Sequence, residues 1–152
     1  RAVQTCAPVG APHAYAGELP VAYVSLLPGA AASEAELMDF AARGVDEAPA
    51  RPKSVVILER IPMTNVGKVY KPELRLLAAQ AVVQSLVDQV AARMELAGAL
   101  VPRVSASEAE GVAVLVDDAA LAQRAGAVRD ALRAAIEPLP LKVALRGALS
   151  GP

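Results

Sequence analysis

The residues best suited to chemistry in this 152-residue chain lie in one stretch, Pro62-Met63-Thr64-Asn65-Val66-Gly67-Lys68-Val69-Tyr70-Lys71. It follows an apolar run, Ser54 to Leu58, and leads into a helical pattern opening at Pro72. Lysine is a compact cation on a long stem, suited to meeting charge that builds on a phosphoryl oxygen. Gly67 lets the backbone turn tightly just before it, and Thr64 and Asn65 can hold a turn through local side chain–backbone bonds. A solvated lysine in a surface turn is the plain alternative for a Gly-Lys pair. The stretch is not a Walker loop, which needs a second glycine and Ser or Thr directly after the lysine, where Val69 stands. No nucleophile–base set accompanies it: His13 is the single histidine and Cys6 the single cysteine. With no Cys cluster or second His, no metal site is expected. Cys6 reads as a small buried or half-exposed thiol without a disulfide partner, and His13 as a loop residue.

The elements that must position these residues can be read from pattern. Residues 1–20 look loop-rich, with Pro8, Gly10, Pro12, Gly17 and Pro20. Val21 to Leu27 reads as a buried strand closed by a Pro28-Gly29 turn. Ser33 to Glu36 has capping-box spacing and opens a helix through Leu37, Phe40 and Ala41 towards Gly44. A loop over 45–52 leads to a β-branched strand, Ser54 to Glu59. Pro72 suits the first turn of a helix running to about Leu96, with Gly98 as its stop. That helix carries an apolar stripe of Val83, Leu86, Val87, Val90 and Met94. Strands are expected over 99–104 and 111–116, joined by a polar loop over 105–110. A helix capped by Asp117 or Asp118 should bury Leu121, Ala125, Val128, Leu132 and Ile136 on one face. Pro138 and Pro140 end it, and 141–146 alternates as a half-buried strand. The order strand, helix, strand, strand, helix, strand from residue 54 is that of a ferredoxin-like split βαβ fold.

Composition sets the outer limits. Apolar residues make up 55% and charged residues 20%, which suits a packed core. A net charge of −1 argues against a nucleic-acid surface. No apolar run is long enough for a transmembrane helix, and no signal peptide is visible, so a cytoplasmic location is expected. The absence of an initiator Met suggests a fragment of a larger protein.

Four segments in register resemble one known family. Gly10-Ala11-Pro12-His13 with Gly17-Glu18-Leu19-Pro20-Val21-Ala22-Tyr23-Val24 is similar to its "G-x-P-D … G-E-x-P-x-A-F-V" segment, His13 replacing the usual aspartate. Ser33-Glu34-Ala35-Glu36-Leu37 resembles its "S-E-E-E-L" helix start, and Arg51-Pro52-Lys53 its "Y-K-x-P-x-x-V" segment. The Pro-x-Thr-x-x-Gly-Lys pattern, continued by Lys71 and Glu73-Leu74-Arg75, closes the match. Together these resemble the C-terminal domain of the adenylate-forming enzymes, the superfamily of acyl-CoA synthetases, luciferases and nonribosomal adenylation domains. The resemblance covers about residues 3–78, roughly half of the chain.

The resemblance implies an α+β fold: a small mixed lid domain over 1–78 with a C-terminal ferredoxin-like αββαβ extension over 79–152 packed on it. It implies that Lys68 is the catalytic lysine that reaches a carboxylate-activation site, with Gly67 beside it. It places Arg43, twenty-five residues before Lys68, where some acyl-CoA synthetases contact a CoA phosphate. A helix-terminal arginine complementing the dipole is the alternative, and Arg51 and Lys53 are weaker candidates of the same kind. Glu18 is expected to anchor loop amides. The partners implied are the large N-terminal domain of the same enzyme, a carboxylic or fatty acid, ATP and CoA, with Mg2+ held in that absent domain. The fragment alone should be inactive, and its extension could support a homodimer. Two other readings stand beside this one: the lid of an enzyme that loads a carrier protein, and a noncatalytic ferredoxin-like binding or dimerisation module.

Overall fold

The computed structural model describes residues 2–96, 103–107, 111–116 and 124–147. The chain divides into two compact units: residues 1–11 with 18–78, and residues 12–17 with 79–152.

The first unit is built on a three-stranded sheet of order β1-β2-β3, comprising β1 (Val3–His13), β2 (Gly17–Leu26) and β3 (Ser54–Ile57). Strand β1 corrects the expectation of a loop-rich start. Pro8 and Pro12 are compatible with a strand here because β1 is an edge, where a missing N–H costs no ladder bond. Its buried residues Ala7, Val9 and Ala11 alternate with more exposed neighbours, as in a half-buried strand. The central strand β2 is buried continuously from Val21 to Ser25, so both of its faces are covered. Burial pushes the Tyr23 hydroxyl above its ordinary pKa.

The β2–β3 pairing is parallel, Val21 opposite Ser54 through Val24 opposite Ile57. Parallel neighbours need a crossover, and α1 (Glu34–Gly44) supplies it. The expected capping box is present: the Glu36 N–H donates to Ser33 Oγ at 3.2 Å, and the Ser33 N–H donates to Glu36 Oε2 at 2.8 Å. The Ser33 N–H first, and the Ser33 hydroxyl donating to Glu36 Oε2 at 2.8 Å second, hold the Glu36 carboxyl below its ordinary pKa. Leu37 and Met38 pack against Ala22, Val24 and Val55. Glu34 adds a tie not foreseen from pattern, its Oε1 accepting from the Ile57 N–H at 3.0 Å.

The helix opening near Pro72 is α2 (Lys71–Arg93). It ends at Arg93, earlier than expected; Gly98, the expected stop, lies outside the described residues. The Leu96 N–H donates to Ala91 O at 2.8 Å and the Glu95 N–H to Ala92 O at 3.2 Å, with Glu95 at φ 55°. This is the Schellman bond pattern, with a glutamate in the left-handed position that glycine usually fills. A non-glycine residue there costs about 1–2 kcal/mol. Glu95→Gly is therefore expected to raise stability by about 0.5–1 kcal/mol, net of glycine's extra chain entropy. A rise in the urea midpoint would show this; an unchanged or lower midpoint would refute it.

In the second unit, β4 (Arg103–Ser107), β5 (Gly111–Val116) and β6 (Val143–Gly147) form a sheet of order β4-β5-β6. The β4–β5 pair is antiparallel and the β5–β6 pair parallel, with α3 (Ala125–Ile136) as the crossover. The αββαβ order is as expected, while β3 belongs to the other sheet. Strand β4 extends through Ser107, so residues 105–107 are strand and not loop. Residues 99–102, the capping aspartates 117 and 118, and Leu121 lie outside the described residues. The expected stripes do meet in one core: Val83, Val87 and Val90 of α2, Val128, Leu132 and Ile136 of α3, and Val104, Val112 and Val114 of the sheet. Gln80 Nε2 donates to the carbonyl of Val104 on edge strand β4 at 2.8 Å, tying α2 to the sheet.

Candidate functional site

The lysine loop is a tight, hydrogen-bonded turn that begins from a buried anchor, Ile61. Met63 and Val69 bridge antiparallel, and the Tyr70 N–H donates to Pro62 O at 2.8 Å. Between them the Thr64 N–H donates to Lys68 O at 2.6 Å and the Gly67 N–H to Thr64 O at 2.9 Å. Gly67 lies at φ 78°, in the region that side chains disfavour, so glycine is required for this turn. The Thr64 hydroxyl accepts from the Lys68 N–H at 3.0 Å, fixing the backbone from which the lysine projects. Asn65 makes no side-chain hydrogen bond among the described residues.

Lys68 itself is exposed. No ion pair holds it among the described residues. Its apolar neighbours are exposed too, Val66 at 80% and Met63 at 50%. The loop therefore presents one exposed cation near exposed apolar side chains, on a backbone held by its own hydrogen bonds. That arrangement can deliver a positive charge to an external anion. It holds no nucleophile or base.

The other candidates fall in different places. Arg43 is exposed in the last turn of α1, where a cation also suits the helix dipole. Arg51 is engaged: its Nε donates to Val45 O at 2.7 Å, bracing the loop after α1, which disfavours it as a phosphate ligand. Lys53 is exposed, and its N–H donates to Pro20 O at 2.7 Å. Glu18 accepts no loop amide among the described residues, contrary to expectation. It lies instead over Gly10, where a Cβ would collide with its carboxylate. Cys6 is exposed on the edge strand, not buried.

His13 does more than fill a loop. It closes strand β1, and its Nδ1 accepts from the Ala16 N–H at 3.2 Å and the Tyr15 N–H at 3.4 Å. An aspartate carboxylate makes the same kind of local turn bond, which explains how a histidine is accommodated there. The signal was its position three residues before the turn's end.

Among the described residues no three His, Cys, Asp or Glu side chains converge as metal ligands. Among the same residues no helix is long and apolar enough to cross a membrane.

Residues 1–68 match the family described as the AMP-binding enzyme C-terminal domain, the match ending at Lys68. A marinolic acid–CoA ligase from Pseudoalteromonas sp. (strain SANK 73390) is 45% identical over 73 residues, which are 48% of this chain and 11% of that protein. The chain thus spans about a ninth of that relative's length. Among solved structures, apo MatB from Rhodopseudomonas palustris is 34% identical, covering 49% of this chain and 14% of that one, with a TM-score of 0.45. The anthranilate CoA ligase AuaEII, in complex with anthranoyl-AMP, is 30% identical, covering 53% and 16%, with a TM-score of 0.46.

Proposed function

We infer, from the match of residues 1–68 to the AMP-binding enzyme C-terminal domain family, that this chain is the lid of an ATP-dependent acid–CoA ligase. The observation that carries the reading is the exposed Lys68 on a turn braced from both sides by Thr64, at the end of the family match. The large domain that would bind the acid, ATP and Mg2+ lies outside this chain.

In the first half-reaction a carboxylate oxygen attacks the α-phosphorus of ATP, giving acyl-adenylate and releasing pyrophosphate. Charge accumulates on the phosphoryl oxygens, and the Lys68 ammonium compensates it in a water-poor cleft. The rigid turn supplies the charge without reorganisation. In the second half-reaction the CoA thiol attacks the acyl carbon, forming the thioester and releasing AMP. The lid turns away for this step, and Arg43 then meets a CoA phosphate. The identity of the relative, a CoA ligase, favours CoA over a carrier-protein thiol.

The test is direct. The full-length protein should show acid-dependent exchange of pyrophosphate into ATP, then thioester formation with free CoA. Exchange without any CoA thioester would shift the reading to a carrier-protein acceptor. No exchange with any carboxylic acid across a broad panel would overturn it.

A further inference from the structure

The second unit leaves a sheet edge open among its described residues. Strand β6 pairs with β5 on one side, and no described strand pairs with its other side. Along that edge runs a groove of about 380 Å³, walled by Arg133, Ile136 and Glu137 at the end of α3 and by Leu141, Val143 and Leu145. Leu141, Val143 and Leu145 alternate onto the face that packs against the core, yet each is only half-buried. Lys142 and Arg146 fall on the opposite face and are exposed. Sheet edges are usually blunted by proline, a bulge or inward charges. Strand β6 has no proline, pairs with β5 in unbroken register, and keeps its charges off the groove side.

We propose that this edge joins two copies of the chain: β6 pairs antiparallel with β6 of a second copy about a two-fold axis at Val143, and the Leu141, Val143 and Leu145 side chains of each copy fill the groove of the other. The interface needs nothing from the CoA-ligase reading. The side chains select the register. About Val143, Leu141 opposes the second copy's Leu145, Val143 opposes itself, and Lys142 opposes Ala144. About Ala144, Lys142 would oppose Arg146, and like charges directly opposite destabilise a strand pair. About Leu145, Val143 would oppose Gly147, which has no side chain to pack. Charge complementarity points to the same occupant. The end of α3 lies alongside 141–145 across the groove, so the axis at Val143 brings the two α3 ends together antiparallel. Arg133 and Glu137 are four apart, on one helix face, and both exposed. They then meet Glu137 and Arg133 of the second copy, the reciprocity that a two-fold contact requires. An apolar peptide from another protein would suit the groove but not these paired charges.

The test uses the full-length protein. Sedimentation over a concentration series should show a reversible dimer. Oxidised Val143→Cys should give a linked peptide joining position 143 to itself, because directly opposed side chains lie within reach of a disulfide. Ala144→Cys, which faces Lys142, should give no such link. Glu137→Arg sets arginine against arginine twice across the axis and should weaken the dimer about tenfold. Arg133→Glu/Glu137→Arg should restore it, and an unchanged circular dichroism spectrum reports an intact fold in both variants. A protein that is monomeric at every concentration overturns the proposal. So does a dimer that keeps its affinity in Glu137→Arg and links through no residue of β6. Linkage through Ala144 in place of Val143 overturns the register. A monomer whose β6 amides resist hydrogen exchange gives the edge to another segment of the same polypeptide, and overturns the proposal too.

Discussion

Lys68→Ala in the full-length enzyme is expected to slow acyl-adenylate formation by about 10²–10³-fold, the usual loss on removing one preorganised charge-stabilising donor. Thioester formation from preformed acyl-adenylate should change far less if, as proposed, the lid turns and a different face meets the acceptor. The turn geometry makes the substitution clean. Thr64 and Gly67 hold the loop through backbone bonds and the Thr64 hydroxyl, none of which involves the lysine side chain. Lys68 is also exposed, so its loss opens no cavity. The two half-reactions are measured separately, as pyrophosphate exchange and as CoA-dependent discharge of supplied acyl-adenylate. Equal losses in both would contradict a lysine that acts only on adenylation.

Parts of this architecture were legible because local chemistry and tertiary packing agree. The Ser33–Glu36 box formed as its spacing dictated, and the β-branched run at 54–57 paired as a strand. The stripes of α2 and α3 found each other because apolar faces at helical period need a partner. Strand β1 was hidden by its prolines and glycine, which mark turns in most contexts and are harmless only on a sheet edge. The alternation of Ala7, Val9 and Ala11 was the available signal, weakened by two small side chains. The end of α2 was hidden for a different reason. Its left-handed residue is Glu95, and nothing in a glutamate announces a helix stop. Arg51 read as a free cation, while the structure spends it on the Val45 carbonyl. Cationic residue types alone do not tell a phosphate ligand from a loop brace; the hydrogen-bond partner does.

Among its described residues the C-terminal half presents no such constellation, and its expected role is structural. Leu132 is the sharpest probe, because its side chain is fully buried at 0% exposure in the α2–α3–sheet core. The cluster also holds Val83, Val87 and Val90 from α2, so removing Leu132 leaves a void that α2 itself helps to line. Leu132→Ala is expected to cost about 2–5 kcal/mol, combining lost transfer free energy with an unfilled cavity. Chemical denaturation of this chain should show the loss as a lower midpoint at similar slope. In the full-length enzyme the fraction that remains folded should adenylate at the wild-type rate, because Lys68 and its turn lie in the other unit. A stable variant would mean that the core relaxes around the deletion and the second unit is loosely packed. A variant folded at the assay temperature but slow in pyrophosphate exchange would give residues 79–152 a part in catalysis. The two measurements separate those outcomes, since the first reads stability alone and the second is normalised to folded protein.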